Sequence, residues 1–347
     1  MVHLRSAAAL ALCAGLSAAA PTDLEKRQAT NIDTTVLNFA LTLEHLENVF
    51  YNQALQKFSA RDFQKAGYGD DYYNNLKYIA YDEQQHVQLL TNAIQAAGAT
   101  PVQQCTYNFP YNDVRSFITL SSVLEGVGTS AYLGGAPLIT SKQYLTVAGS
   151  ILAVEALHTS YQRNAINEVP FPNPLYTSLD PTSVFSLASL FIVSCPAGSP
   201  PLPFTANPAL QVNGDTCTCE EPECSKSSRW HRKGRGWNKG WPKNWRDNSN
   251  YCQPPRAGDT ASFTAATTDS ATLPNNVFVT FVSGLSVTSV PGQVSGSTIK
   301  ATIPPIAMGQ TYVFISKSDV ENTFDQSQVL FGPAVLEVAP PPPPATY

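Results

Sequence analysis

The chain has 347 residues, 43% of them hydrophobic and only 14% charged, with a formal net charge of −5. That length favours two domains, and the apolar fraction is ample for packed cores and excludes global disorder. No apolar run of 18 residues occurs beyond the first 20 positions, which excludes a membrane-spanning helix in the mature chain, and the acidic balance argues against nucleic acid as a partner.

The first 19 residues read as a signal peptide. His3 and Arg5 give a basic start, residues 7–16 are apolar, and residues 17–20 are small, with cleavage near Ala19. Residues 20–27 read as a propeptide ending at the dibasic pair Lys26-Arg27. Its removal with the leader takes away three basic and two acidic groups, so the net charge goes from −5 to −6. The expected destination is extracellular or cell-wall. Six cysteines then remain, Cys105, Cys195, Cys217, Cys219, Cys224 and Cys252, and an even number in an oxidising compartment favours disulfides. Fifteen pairings are open. Cys105–Cys195 is favoured, because both fall in the first domain and the other four cluster apart.

Residues 33–168 show helical periodicity four times, with spacings of three and four residues marking one face each. The first stripe carries Leu37, Leu41, Glu44, Tyr51 and Leu55, and the second Leu76, Ile79, Glu83, His86, Leu90 and Ile94. The third carries Phe117, Ser121, Glu125, Gly128 and Tyr132, and the fourth Tyr144, Ala148, Ile151, Glu155, His158 and Gln162. Four such helices predict a four-helix bundle over 28–205. Ala97-Gly98 followed by Pro101 reads as the second helix's stop, and 98–112 is long enough to cross the bundle. A short fifth helix is expected over 181–194, with Asp180 as its cap and Pro181 in its first turn.

Residues 196–216 are Pro-rich and polar and read as linker, and the linker with its insert is drawn over 206–258. The insert, 217–252, holds four cysteines, Trp237, Trp241 and Trp245, and eight basic against four acidic groups. It reads as a disulfide-stapled basic loop suited to polyanionic wall polymers, as a weakly spaced cysteine metal site, or as a retained intron. Residues 259–338 read as a small immunoglobulin-like β-sandwich, with strands at 262–265, 277–281, 298–303, 312–316 and 334–338 punctuated by Gly, Pro and Asn. Residues 339–347 form a Pro-rich extended tail. The fold class is therefore α+β and multidomain.

Each predicted helix places a carboxylate in the middle of its apolar stripe. A buried unpaired carboxylate costs several kcal/mol or takes up a proton, so four converging in one bundle call for cations. The domain's lysines and arginines fall off the stripes, which leaves metal ions as the natural compensation. Helices two and four carry Glu83-x-x-His86 and Glu155-x-x-His158, each a carboxylate and an imidazole one turn apart, and helices one and three add Glu44 and Glu125. Chance placement of 12 Glu and 5 His in this length gives roughly 0.2 Glu-x-x-His pairs, against two found. Tyr51 lies seven residues after Glu44, and Tyr132 seven after Glu125, so the two halves repeat.

Two Glu with two Glu-x-x-His on four inward faces is similar to the di-iron or di-manganese ligand pattern of ferritin-like bundles. The stretches LEHLENVFY at 43–51, FIVSCP at 191–196, GQTYV at 309–313 and GPA at 332–334 resemble the secreted fungal stress-response and late-sexual-development branch, related to plant desiccation-related proteins. The resemblance implies a ferritin-like bundle with Glu44 and Glu125 as terminal ligands, Glu83 and Glu155 bridging, and His86 and His158 each completing one sphere. It implies two iron or manganese ions, with zinc as the alternative, and Tyr51 and Tyr132 hydrogen-bonding to ligands or carrying a radical. Glu47, one turn from Glu44, is an extra ligand or part of a solvated face; His45 and Asp82 are expected at the surface.

The function so implied is peroxide, oxygen or iron redox chemistry in stress response or development. The alternative is a non-catalytic extracellular or wall-associated protein in which the metal is structural or absent. Expected partners are a small oxidant or metal ion and, through the insert, wall polymers. A ferritin cage is disfavoured, since the β domain and insert would crowd its packing surfaces.

Overall fold

The computed structural model describes residues 31–214, 253–266 and 273–342. The leader and propeptide readings, the insert cysteines Cys217, Cys219, Cys224 and Cys252, and the end of the tail lie outside the described residues.

Four long helices form the bundle: α1 (Asn31–Lys57), α3 (Asp70–Ala96), α4 (Val114–Gly135) and α5 (Lys142–Ala165). A one-and-a-half-turn helix, α2 (Ala60–Lys65), sits between α1 and α3 and buries Phe63. Six residues with one buried position are too short for periodicity to register. Side chains cap two of the long helices: the Asp113 carboxylate accepts from Ser116 N at 2.8 Å and the Ser141 hydroxyl from Tyr144 N at 3.4 Å. The stop of α3 falls where expected. Gly98 adopts φ +76°, and the Ala99 and Gly98 amides donate back to the carbonyls of Ile94 and Gln95.

Helix α1 packs on α3 and α4 on α5, and the stretch from Gly98 to Asn112 crosses between these pairs. Asn38 holds it to α1, donating to Thr100 O at 3.2 Å and accepting from Val102 N at 2.7 Å. Within the crossover, β1 (Thr106–Tyr107) pairs with β2 (Ile192–Ser194), and Cys105 and Cys195 form the expected disulfide beside it. This pairing corrects the fifth helix. Helix α6 spans Pro181–Ser189, starting from Asp180, whose carboxylate accepts from the amides of Thr182 and Ser183. It stops short of residue 194 because the β-branched Ile192 and Val193 extend into β2 instead.

The C-terminal part holds two antiparallel four-stranded sheets. One runs in the order β10-β9-β5-β6: β5 Phe278–Ser283, β6 Ser286–Pro291, β9 Gly309–Ser316 and β10 Val329–Val338. The other runs β3-β4-β8-β7: β3 Leu210–Val212, β4 Thr260–Ala265, β7 Gln293–Ser295 and β8 Thr298–Thr302. All five expected strands are present, with shifted or extended ends. Strand β3 lies inside the stretch read as linker, so that reading fails there. Leu210 is buried and its strand pairs with β4, whereas the surrounding prolines had suggested no ladder at all. Strands β6 and β7 were missed because Ser, Pro and Gly read as turn punctuation.

The sandwich is not a separate bead. Along β9, Val313 and Ile315 face the opposite sheet, while Tyr312 and Phe314 belong to the core that includes Phe50, Phe117 and Leu124 of the bundle. Period-two alternation thus buries both faces of the first sheet, giving three layers: helices, sheet, sheet. The Tyr312 hydroxyl lies 2.8 Å from Ser130 Oγ on α4. Arg163 at the end of α5, 3% exposed, donates to both oxygens of Glu337 on β10 at 2.7 and 2.8 Å.

Candidate metal centre

Glu44, Glu83, Glu125 and Glu155 are fully buried, and His158 and His86 are only 6% and 8% exposed. Their helices present them at the same depth. On α3 and α5 the three-residue step sets each histidine one turn from its glutamate on the inward face. His86 Nδ1 lies 3.1 Å from Glu44 Oε2, 3.4 Å from Glu155 Oε1 and 3.5 Å from Glu83 Oε2. His158 Nδ1 lies 3.0 Å from Glu83 Oε1 and 3.4 Å from Glu125 Oε2.

Two four-residue sets result, in each of which one donor atom per residue lies within 4.8 Å of the others. Glu44, Glu83, His86 and Glu155 form the first, and Glu83, Glu125, Glu155 and His158 the second. The shared members are Glu83 and Glu155.

The tyrosines cross over. Tyr51 donates to Glu125 and Tyr132 to Glu44, each serving the other half's glutamate. The seven-residue spacing explains this, because at 1.5 Å per residue each tyrosine stands about 10 Å along the helix from its own glutamate. Running α1 and α4 in opposite directions brings both pairs into register. Tyr51 also lies 2.7 Å from Ser121 Oγ and accepts from Gln162 Nε2 at 3.3 Å.

Without cations the cluster is balanced by protons. Burial and neighbouring carboxylates push Glu155 and Glu47 well above the ordinary carboxylate range. Burial lifts Glu44 to about 7 against the pull of His86, and lifts Glu125 as well. Burial also opposes the ionised form of Glu83, but the positive charges of His158 and His86 beside it outweigh that and hold the carboxyl at about 2. Burial would discharge both imidazoles, yet the surrounding glutamates keep them protonated.

The donor set fits metal ions. Both oxygens of Glu83 and of Glu155, Glu125 Oε2 and His158 Nδ1 are buried without a hydrogen-bond partner. Unsatisfied groups of this kind are costly unless something binds them, and carboxylates mixed with imidazoles suit iron, manganese or zinc.

Asp82 and His45 differ from expectation, and Glu47 falls on the buried side of its two alternatives. Glu47 is not solvated but 3% exposed, with Oε2 unpartnered, because the sheet and α6 cover that side of α1. Room for it comes from Gly128: a Cβ there would lie 2.6 Å from Glu155 Oε2 and 2.8 Å from Glu47 Oε1. Asp82 is half-buried, and its Oδ2 lies 3.3 Å from His158 Nε2, where it orients that imidazole. Its position beside Glu83 was the available signal, but reaching α5 is a tertiary fact. His45 is half-buried too, with Nε2 3.3 Å from Val102 O, and it helps seat the crossover.

Residues 32–168 match the family model described as the ferritin-like domain. The chain is 28% identical to protein rds1 of Schizosaccharomyces pombe over 183 residues, which is 53% of this chain and 45% of that protein, so it spans less than half of that relative's length. A crystal structure from Bacillus anthracis described as ferritin like, diiron-carboxylate proteins aligns with a TM-score of 0.35 at 17% identity, over 41% of this chain and 99% of that one. By the family-model match the helical part has a ferritin-like fold; it encloses a buried carboxylate and histidine cluster and is followed by an antiparallel β region.

Proposed function

We propose that this chain is an exported dinuclear metalloprotein whose cluster holds two iron or manganese ions and acts on oxygen, peroxide or ferrous iron. The observation that carries the reading is the pair of four-donor sets sharing Glu83 and Glu155, whose four buried oxygens have no hydrogen-bond partner. Glu83 and Glu155 would bridge; Glu44 and His86 would hold one ion, Glu125 and His158 the other, and Glu47 stands ready as a further carboxylate. Such an ion pair, when bound, supplies one-electron redox steps that side chains alone lack.

The remaining residues position these donors. Tyr132 and Tyr51 each hold one glutamate by an O–H donated to its carboxylate, leaving the other oxygen for the ion. Asp82 fixes the His158 ring through Nε2, which aims Nδ1 inward. The near-complete burial of the six residues excludes bulk water. Export is supported by the leader pattern and by the structural disulfide, which persists in oxidising compartments. A role in stress or development rests on the family resemblance.

The test is to purify the full chain, measure its metal content and follow oxygen and peroxide consumption. Two ions per chain with turnover lost in Glu83→Ala and His86→Ala supports the proposal. Two ions without turnover reduces the centre to a structural staple, and no metal uptake sinks the reading altogether.

A further inference from the structure

A cavity of about 200 Å³ lies between the bundle and the β layers. Leu43 and Leu46 of α1, Val127 of α4, Leu187 of α6 and Val335 of β10 form its walls. Among the described residues that line it, Glu47 alone has a polar side chain, and Glu47 with Gly128 puts the cavity's inner end against the carboxylate and histidine cluster. At its outer edge stands Leu190, which is 58% exposed.

The lining decides what can enter. An ordered water needs two to four polar partners, and apart from Glu47 the lining side chains offer none. A hydrated cation would have to shed its shell against leucine and valine, at a cost the walls cannot return. An apolar molecule loses nothing there, and an apolar cavity of about 150 Å³ is enough to bind benzene. We propose that this cavity binds a small apolar molecule, one ring or a short hydrocarbon chain, and presents it at Glu47 beside the cluster. The β layers thereby gain a role in binding, since β10 supplies a wall that the helices by themselves leave open. Reading the bound molecule as a substrate rests on the metal-centre proposal; its binding does not.

The test uses the full chain stripped of metal, with toluene as the probe. Saturable binding at one site per chain is expected, with a Kd on the order of 0.1–1 mM. Nuclear Overhauser contacts should connect toluene to the methyl groups of Val127 and Leu187. Leu187→Phe and Val335→Phe, which fill the cavity from opposite sides, should each weaken binding at least tenfold while leaving the far-ultraviolet circular dichroism unchanged. Absence of saturable binding, contacts to other methyl groups, or wild-type affinity in both variants overturns the proposal. The wild-type contacts decide the matter even if a variant misfolds. Metal content, measured on a separate sample, tells failure of the cavity from failure of the metal centre. Toluene binding without metal uptake leaves the cavity standing, and metal uptake without toluene binding removes it.

Discussion

Gly128→Ala isolates the geometry of the cluster from the stability of the fold. The added Cβ would meet Glu155 Oε2 at 2.6 Å and Glu47 Oε1 at 2.8 Å, whereas ordinary contact begins at 3.4 Å, so these oxygens must retreat by 0.8 and 0.6 Å. Both are ends of side chains, so the metal-free protein can absorb the shift by small rotations. Alanine also favours a helix over glycine by about 0.5–1 kcal/mol, which offsets part of that cost. Metal-free stability should therefore stay within about 1 kcal/mol of wild type. A metal centre is less forgiving, since ligand distances are set to about 0.2 Å. If Glu155 bridges the ions as proposed, displacing its carboxylate should lower affinity by about 10–100-fold. The assay is anaerobic titration with Fe²⁺ or Mn²⁺ against a competing chelator, alongside denaturant unfolding of the metal-free protein. Gly149→Ala is the control: it lies on α5 with open space around it, and it should gain helix stability with no change in affinity. Wild-type metal affinity in Gly128→Ala would refute the placement of Glu155 as a ligand beside Gly128.

Three further outcomes follow from the same structure. Glu44, Glu47 and Glu155 are raised above the ordinary carboxylate range by burial, so the folded metal-free chain keeps protons that the unfolded chain has lost above about pH 4.5. Its stability should fall as pH rises from about 4.5 through 7, and metal loading should abolish that slope; denaturant titrations at several pH values with and without chelator measure both, and a flat metal-free profile sinks the assignment. Arg163→Met should destabilise the chain by about 2–3 kcal/mol, less than for a fully enclosed pair because 23% of the Glu337 side chain is exposed, and Glu337→Leu added to it should recover most of the loss in a double-mutant cycle. Replacing Cys105 and Cys195 by serine opens a bridge across 90 positions and should cost about 2–5 kcal/mol, read as a drop in Tm that the wild type shows only after reduction.

The six buried donors were legible because their spacing is a local property of a helix. Any sequence placing Glu and His three apart among leucines and isoleucines presents them on one side, whatever surrounds the helix. The end of α3 at Gly98 and the start of α6 at Asp180 were legible for the same reason, since capping uses residues within a turn. Asp82 was not, and for Glu47 a ligand and a solvated position both stayed open. Each sits one step off its stripe, and its environment comes from elements far along the chain: the β layers and α6 for Glu47, α5 for Asp82. Nor did periodicity reveal that Tyr51 serves Glu125 and Tyr132 serves Glu44, because that depends on α1 and α4 running in opposite directions.

The sequence by itself determined which faces turn inward and which side chains those faces carry, since helical and strand periods are set by backbone geometry. Only the tertiary structure decided that the donors meet as two sets with two members in common. It alone seated the β layers against the bundle and left the apolar cavity between them, because packing between distant segments is fixed by shape and burial, for which a local pattern holds no record.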